Sequence, residues 1–341
     1  MILVAFNAML VCGCDDPKRE SELRWREEEV SAKVADVAKR EQEIAARLRE
    51  IEGERISLKQ KEAALAVRLQ EVAKLEEAAQ RAKVEFETKA RRGPAPATTS
   101  ERILVIDPEL PDVPLFERAA SRKGAIASTT KIMTALILAE AGDLDKIVTV
   151  EQSDTECAPV RMGLKKGETY TRRNLLTALM VKSSNDIAQA LARDNAGSVE
   201  AFVAKMNARA KELGCQNTLF INPNGLPPVK EQPDPFSTAI DLAKITMVAD
   251  KIPAVREMVK LKSYWFEKPD GKKIPLENTN RVLRTCEFCD GFKTGYTSAA
   301  GYCLVATGER EGRRRIVVVL NGTKDSVWRD AQALLEWALR V

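Results

Sequence analysis

Ala127-Ser128-Thr129-Thr130-Lys131-Ile132-Met133-Thr134-Ala135 joins a polar tetrad to an apolar-periodic run, and its reading decides the fold. Ile132, Met133, Leu136 and Ile137 recur at helical spacing, so the segment predicts a helix opened by Ser128 and Lys131. Residues three apart share a helix face, which brings the Lys131 amine within hydrogen-bond reach of the Ser128 hydroxyl. A lysine acts as a base only when neutral, and burial or a neighbouring positive charge lowers its pKa to that end. Alone, the tetrad also reads as a helix N-cap followed by a surface lysine.

Composition narrows the chemistry. The 341 residues include no histidine, which removes Ser-His-Asp and Cys-His catalysis, histidine metal sites and histidine general bases together. Any hydrolase here needs another base. A net charge of +4, with no basic block interleaved with aromatics, gives no footprint for nucleic acid. At 44% hydrophobic and 30% charged, the chain can bury a core and still carry a non-globular segment. Seven cysteines lack the regular spacing of a disulfide scaffold. Cys12 and Cys14 lie at the N-terminus, whereas Cys157, Cys215, Cys286, Cys289 and Cys303 are dispersed. Cys286 and Cys289 form a single C-x-x-C, open to a local disulfide, half a metal site or two small buried residues. Without a second such pair, no metal and no cofactor is expected.

Two further triplets each occur once: Ser183-Ser184-Asn185 after an apolar helix, and Lys293-Thr294-Gly295 on a predicted strand. Separately they read as loop-capping residues and an exposed strand end. With Ser128-Thr129-Thr130-Lys131 they resemble the set S-x-x-K, S-D-N and K-T-G of penicillin-binding proteins and class A β-lactamases, with Ser184 where that set has aspartate.

Outward from these motifs the chain falls into segments. Met1 to Val11 is apolar and too short to span a bilayer; Val11-Cys12-Gly13-Cys14 resembles a lipoprotein signal, with Cys14 the lipidation candidate in segment 1–14. A secretory signal opens with positive charge, yet no Lys or Arg precedes Lys18, so a plain hydrophobic tail stays open. Across 17–92 an apolar residue returns every seventh position: Leu23, Val30, Val37, Ile44, Ile51, Leu58, Leu65, Val72, Ala79 and Phe86. The companions four residues on are mixed, with Val34, Leu48 and Leu69 apolar but Glu41, Arg55, Glu62 and Glu76 charged. Between Lys18 and Arg92 Gly53 is the only glycine and no proline occurs, so one helix of roughly 110 Å is expected, either a self-associating coiled-coil stalk or a solvated charged helix. Gly93-Pro94-Ala95-Pro96-Ala97-Thr98-Thr99-Ser100 reads as a linker. The globular domain then covers 101–341. Its predicted elements are a strand at Ile103 to Ile106, helices at Arg172 to Val181, Asp186 to Arg193 and Val199 to Leu213, and a strand at Tyr264 to Phe266 before a turn at Asp270-Gly271. Strands at Gly291 to Tyr296, Tyr302 to Thr307 and Arg315 to Leu320 precede a closing helix, Ser326 to Leu339. That order predicts an α/β sandwich around an antiparallel sheet.

At this level the sequence resembles the low-molecular-mass D-alanyl-D-alanine carboxypeptidases, serine peptidase family S11. The similarity runs over most of Ile103 to Trp337. Its blocks, besides Ala127 to Ala135, are Met162-Gly163-Leu164-Lys165-Lys166-Gly167-Glu168, Ser184-Asn185-Asp186, Ser237-Thr238-Ala239, Asn278-Thr279-Asn280 and Asp290-Gly291-Phe292-Lys293-Thr294-Gly295-Tyr296-Thr297. The resemblance implies an α/β (α+β) fold, a β-lactamase/penicillin-binding transpeptidase-like domain with antiparallel sheet and helical cluster, preceded here by the long helical stalk. It implies Ser128 as acyl-forming nucleophile, Lys131 as its base and Ser183 as proton relay to the leaving amine. Asn185 would orient the substrate amide. Lys293 would keep Lys131 neutral and, with Thr294, bind the substrate carboxylate. Gly295 would leave room for the extended substrate, and the backbone N–H groups of Ser128 and Tyr296 would form the oxyanion hole. Peptidoglycan stem peptides and β-lactams would be its partners at the cell envelope, with the membrane reached through the N-terminus.

Two departures bear on this. The family often has histidine in the loop that reads Asn222-Pro223-Asn224-Gly225-Leu226 here, so that loop is given no role. Ending at Val341, the chain leaves no room for the C-terminal β-domain and amphipathic anchor of some relatives, and the N-terminal signal and stalk are expected to replace them. No E-x-x-L-N element follows Ser183, which favours slow deacylation of penicillin over β-lactamase turnover. D,D-endopeptidase activity and a non-catalytic wall-binding spacer remain the competing readings.

Overall fold

The computed structural model describes residues 17–157, 159–228 and 233–340; Cys14 and the segment 1–14 lie outside the described residues. The chain divides into two compact units between Glu77 and Ala78. Helix α1 (Pro17–Arg92) makes up the described part of the first and continues into the second. High helix propensity carries it through Gly53 without a break, helped by i,i+4 pairs such as Glu29–Lys33 and Asp36–Arg40. Along its seam from Leu23 to Val72 each apolar side chain keeps between 49% and 60% of its surface exposed.

The second unit is built on a five-stranded antiparallel sheet. In chain order its strands are β1 (Arg102–Ile106), β2 (Phe116–Arg118), β7 (Cys289–Thr297), β8 (Gly301–Arg310) and β9 (Arg313–Gly322), lying side by side as β2-β1-β9-β8-β7. Two short hairpins, β3 (Ile147–Thr149) with β4 (Thr169–Thr171) and β5 (Ser263–Glu267) with β6 (Lys273–Glu277), lie outside it. The remaining helices are α2 (Lys131–Glu140), α3 (Arg172–Lys182), α4 (Asn185–Ala196), α5 (Val199–Glu212), α6 (Ala239–Asp250), α7 (Pro253–Val259), α8 (Val282–Thr285) and α9 (Ser326–Ala338).

Strand alternation sorts the core into two halves. Ile103, Val105, Leu304, Ala306, Val317 and Val319 face α8 and α9, packing with Val327, Ala331, Leu334 and Leu335. Leu104, Ile106, Val305, Ile316, Val318 and Leu320 face the helical cluster around α2, α3, α4 and α6. Covered on both faces, Ile316 to Leu320 is an unbroken apolar run for the same reason that central strands of buried sheets are. At the centre of the cluster, α2 is apolar nearly all round, with Ile132, Ala135, Leu136 and Leu138 inaccessible to water. The antiparallel sheet and helical cluster expected from the sequence are present.

The structure adds local detail at two places. Gly93 to Ser100 has linker composition but is fastened to α9: the N–H groups of Thr99 and Ser100 and the Ser100 hydroxyl all donate to Asp330 Oδ2 at 2.8–2.9 Å, and Trp337 Nε1 donates to the Gly93 carbonyl at 3.1 Å. The acceptor lies some 230 residues downstream, where local composition gives no notice of it. Cys286 and Cys289 are unbridged and buried in the α9-side core, as the third of their three readings has it. Cys157, Cys215 and Cys303 are also free thiols, and no cluster that could hold a metal occurs among the described residues.

Candidate active site

Ser128 stands on a 3-10 turn, Ala127–Thr130, that leads directly into α2, so Lys131 is the first residue of the α-helix proper. Lys131 is fully buried. Its Nζ has three neighbours: Asn185 Oδ1 at 2.8 Å, the Asn224 carbonyl at 2.7 Å and Ser128 Oγ at 2.9 Å. A neutral amine has two N–H groups and one lone pair. The amide and carbonyl oxygens can only accept, so they take both N–H groups and leave the lone pair facing the Ser128 hydroxyl. Burial, and secondarily the positive charge of Lys293, holds Lys131 well below the usual lysine range, which makes this neutral form accessible. The arrangement can take a proton from Ser128.

Lys293 enters from β7, also buried, and donates to Ser183 Oγ at 2.8 Å and to the Thr294 carbonyl at 3.0 Å. Burial pushes its ammonium down to about 7; an incoming carboxylate would favour the charged form again. Ser183 caps α3 in a left-handed conformation (φ 68°), and its hydroxyl meets the Lys293 ammonium on β7. Thr294 Oγ1 shares a 2.7 Å hydrogen bond with Thr279 Oγ1. Gly295 lies against the 3-10 turn: a Cβ there would fall 2.8 Å from the Ser128 nitrogen and 3.0 Å from that of Thr129. Its missing side chain thus lets β7 reach the Ser128 amide, a more specific requirement than room for a substrate. Tyr296, the next residue, is exposed and packs on Tyr302. The structure therefore brings Ser128, Lys131, Ser183, Asn185, Lys293, Thr294 and Gly295 together, with Tyr296 next along β7.

Several contributors carry no signal in the three motifs. The Asn224 carbonyl that receives a Lys131 N–H belongs to the loop to which the sequence gives no role; Asn222 shapes it by accepting from Gly225 N at 2.7 Å, and Thr134 Oγ1 ties it down by donating to the Pro223 carbonyl. Gly225 is obligatory, since its φ is +79° and a Cβ would meet the Ala127 oxygen at 1.9 Å. Asp186, wholly buried, accepts from the N–H groups of Met162, Gly163, Leu164 and Ile187 at 2.9–3.2 Å, holding the Met162-to-Glu168 block against α4. Asn280 Nδ2 donates to the Gly291 carbonyl, and Thr279 N to that of Val181, tying α3 to β7. Ser237-Thr238-Ala239 is structural: Thr238 caps α6, and Ser237 pairs with Gly124.

Comparison with known proteins fits this geometry. Residues 89–324 match the model of the Peptidase_S11 family, described as D-alanyl-D-alanine carboxypeptidase. The chain belongs to the D-alanyl-D-alanine carboxypeptidase family. Among its relatives, DacF of Bacillus subtilis is 35% identical over 223 residues, 64% of this chain and 56% of the relative. DacB2 of Mycobacterium tuberculosis is 34% identical over 62% of this chain and 72% of its own length. The chain thus spans little more than half of DacF. In three dimensions the Streptomyces K15 DD-transpeptidase superposes with a TM-score of 0.66 at 30% identity, covering 72% of this chain and 98% of that one. A D-alanyl-D-alanine carboxypeptidase of Mycobacterium tuberculosis gives 0.67 at 31% identity, covering 72% and 92%. Family members thus share the sheet and helical cluster that hold Ser128 and Lys293 here.

Proposed function

We propose that this protein is a serine-type D-alanyl-D-alanine carboxypeptidase that removes the terminal D-alanine of peptidoglycan stem peptides through a Ser128 acyl-enzyme. The observation that carries the reading is the coordination of Lys131 Nζ, whose two N–H groups are taken by Asn185 Oδ1 and the Asn224 carbonyl and whose remaining valence faces Ser128 Oγ. In this reading the terminal carboxylate is held by Lys293 and Thr294, which places the penultimate carbonyl over Ser128. Ser128 Oγ attacks that carbonyl as its proton passes to Lys131. The oxyanion accepts from the backbone N–H groups of Ser128 and Tyr296. Ser183 gives its proton to the departing amine and takes one from the Lys293 ammonium bonded to it, the C–N bond breaks and D-alanine leaves. Water then attacks the Ser128 ester, its proton restoring Lys293 through Ser183, and the Lys131 ammonium returns the Ser128 proton as the C–O bond breaks. A β-lactam would follow the first half of this path, but its leaving amine stays tethered in the adduct.

The test is release of D-alanine from a soluble stem pentapeptide, followed against pH. Its rate is expected to rise with pH as Lys131 loses its proton, because only the neutral amine is a base. Removing the positive charge in Lys293→Ala should move that acid limb to higher pH, since a neighbouring cation disfavours protonated Lys131. An unmoved limb in the variant would count against this coupling. A second reading, cleavage of D-alanyl cross-links, has support from an Escherichia coli D-alanyl-D-alanine endopeptidase 32% identical over 62% of this chain. A cross-linked dimer hydrolysed faster than the pentapeptide would favour it.

The same proposal puts the protein in the cell envelope, anchored by a lipid on Cys14, with α1 as a coiled-coil spacer. Support for the anchor comes from the sequence Val11-Cys12-Gly13-Cys14. No described helix is long and apolar enough to cross a membrane. Partition into a detergent phase that is lost in Cys14→Ser is the expected outcome, and unchanged partition would contradict lipidation at that residue.

A further inference from the structure

Strand β7 lies at the edge of its sheet with β8 on one side only, so its other edge carries no strand. A free edge binds an extended peptide through main-chain hydrogen bonds and leaves specificity to side-chain pockets beside it. In the proposed reaction the terminal carboxylate lies at Lys293 and Thr294 and the scissile carbonyl at the Tyr296 N–H, so the stem peptide runs antiparallel to β7. Its earlier residues then continue past Tyr296 towards Thr297. At about 3.3 Å per residue, the third stem residue, which precedes the acylated D-alanine, comes level with Thr297.

A cavity of about 370 Å³ opens there. Its lining joins Thr297 and Ala299 to Ile126 and Ala127, the two residues before Ser128. Leu226, Pro227, Pro235 and Phe236 supply apolar wall suited to an aliphatic chain. Two charged side chains occur among the described residues that line it, Lys123 and Asp234, of opposite sign and both exposed. Neither has a part in the acylation chemistry, and neither makes an ion pair with a described residue; the Lys123 ammonium instead stands 4.7 Å from the centroid of the Phe236 ring. The backbone fixes this placement. Gly124 and Ser237 exchange N–H···O bonds at 3.0 and 3.1 Å, and Leu219 and Phe236 do so at 2.8 and 3.2 Å, which pins Phe236-Ser237 between two neighbours. The buried Arg102 guanidinium donates to the carbonyls of Arg122 and Ala125, at 3.4 and 2.8 Å, and so holds the chain on both sides of Lys123. The third residue of a stem peptide is a diamino acid. A lysine side chain ends in an ammonium, which suits Asp234 and is repelled by Lys123. A diaminopimelate side chain ends in a carbon bearing both an ammonium and a carboxylate, and so suits both.

We propose that this cavity is the subsite for the side chain of the third stem residue, and that Lys123 selects diaminopimelate over lysine there by pairing with the carboxylate that only diaminopimelate carries. This rests on the carboxypeptidase reading and narrows its substrate class. Asp234 meets the ammonium that both residues carry, so it adds affinity without discriminating between them.

The test uses the full chain and two soluble pentapeptides, L-Ala-D-γ-Glu-X-D-Ala-D-Ala with X either meso-diaminopimelate or L-lysine, and reads release of D-alanine. The unsubstituted protein is expected to favour the diaminopimelate peptide by about fivefold in kcat/KM, the scale of an exposed charge pair. Lys123→Glu should bring that ratio below one, because the introduced carboxylate repels the carboxylate of diaminopimelate and attracts the ammonium of lysine. Lys123→Arg, which keeps the charge, should keep the preference. Each ratio is read within one protein, so any partial damage to the fold cancels. A ratio near one in the unsubstituted protein, or one that Lys123→Glu leaves unmoved, overturns the subsite while the carboxypeptidase reading stands. A loss shared equally by both peptides in Lys123→Glu assigns Lys123 to the carboxylate of the second residue, which both peptides carry, and likewise overturns it. Release from neither peptide overturns both readings.

Discussion

Lys131→Ala is expected to slow acylation of Ser128 by penicillin by about 1000-fold or more, the scale lost when a positioned general base is removed. Loss of a buried side chain could also disturb the fold, so the informative companion is Lys131→Arg. Arginine keeps much of the volume and the N–H donors but does not give up its proton, and so cannot serve as a base. Both variants should be equally inert although both keep Ser128. A Lys131→Arg protein acylating within about tenfold of the unsubstituted chain would show that Lys131 positions rather than deprotonates. The experiment is decisive because the three neighbours of Lys131 Nζ leave a neutral amine only one group to deprotonate.

The second large effect lies away from the nucleophile. Asp186→Ala removes the acceptor for the N–H groups of Met162, Gly163, Leu164 and Ile187, all met by one buried carboxylate. Stranding several backbone donors is expected to cost about 3 kcal/mol and to lower Tm by roughly 6–12 °C in a domain of this size. It should also slow acylation, because the Val160 carbonyl on the same loop accepts from Asn185 N at 2.7 Å, and Asn185 in turn holds Lys131. Asp186→Asn, which keeps one carbonyl oxygen, should lose less on both measures. Thermal unfolding unchanged in the alanine variant would remove Asp186 from the account.

The contrast between these two residues shows what a sequence makes legible. Lys131 is found by spacing, since i and i+3 on one helix must meet, and the lack of histidine makes a lysine base the natural choice. Asp186 is only the residue after Asn185 until the fold delivers a loop more than twenty residues upstream in sequence to its carboxylate. Asn224 is harder still: its contribution is a backbone carbonyl, which any residue type supplies, so side-chain identity says nothing about it. Gly295 is marked by its motif, but the close approach that requires glycine, to the Ser128 amide, exists only once β7 and the 3-10 turn are packed.

The elements divide along similar lines. Period-two alternation and apolar runs locate β1, β8 and β9, and turn chemistry at Asp270-Gly271 locates the hairpin of β5 and β6. Residues 239–259 carry no such signal. They form α6 and α7, where burial across most of α6 blurs the amphipathic period that identifies a helix from sequence. Strands of three residues, β2, β3 and β4, are too short to show a period and owe their pairing to neighbours.

The most direct test of the central claim is the intact mass of the full chain after incubation with penicillin, beside Ser128→Ala. The account predicts a single added mass equal to one whole penicillin molecule, because the opened ring retains its leaving amine, and no addition to the variant. Equal labelling of both proteins, or no labelling of a natively folded chain, would contradict it.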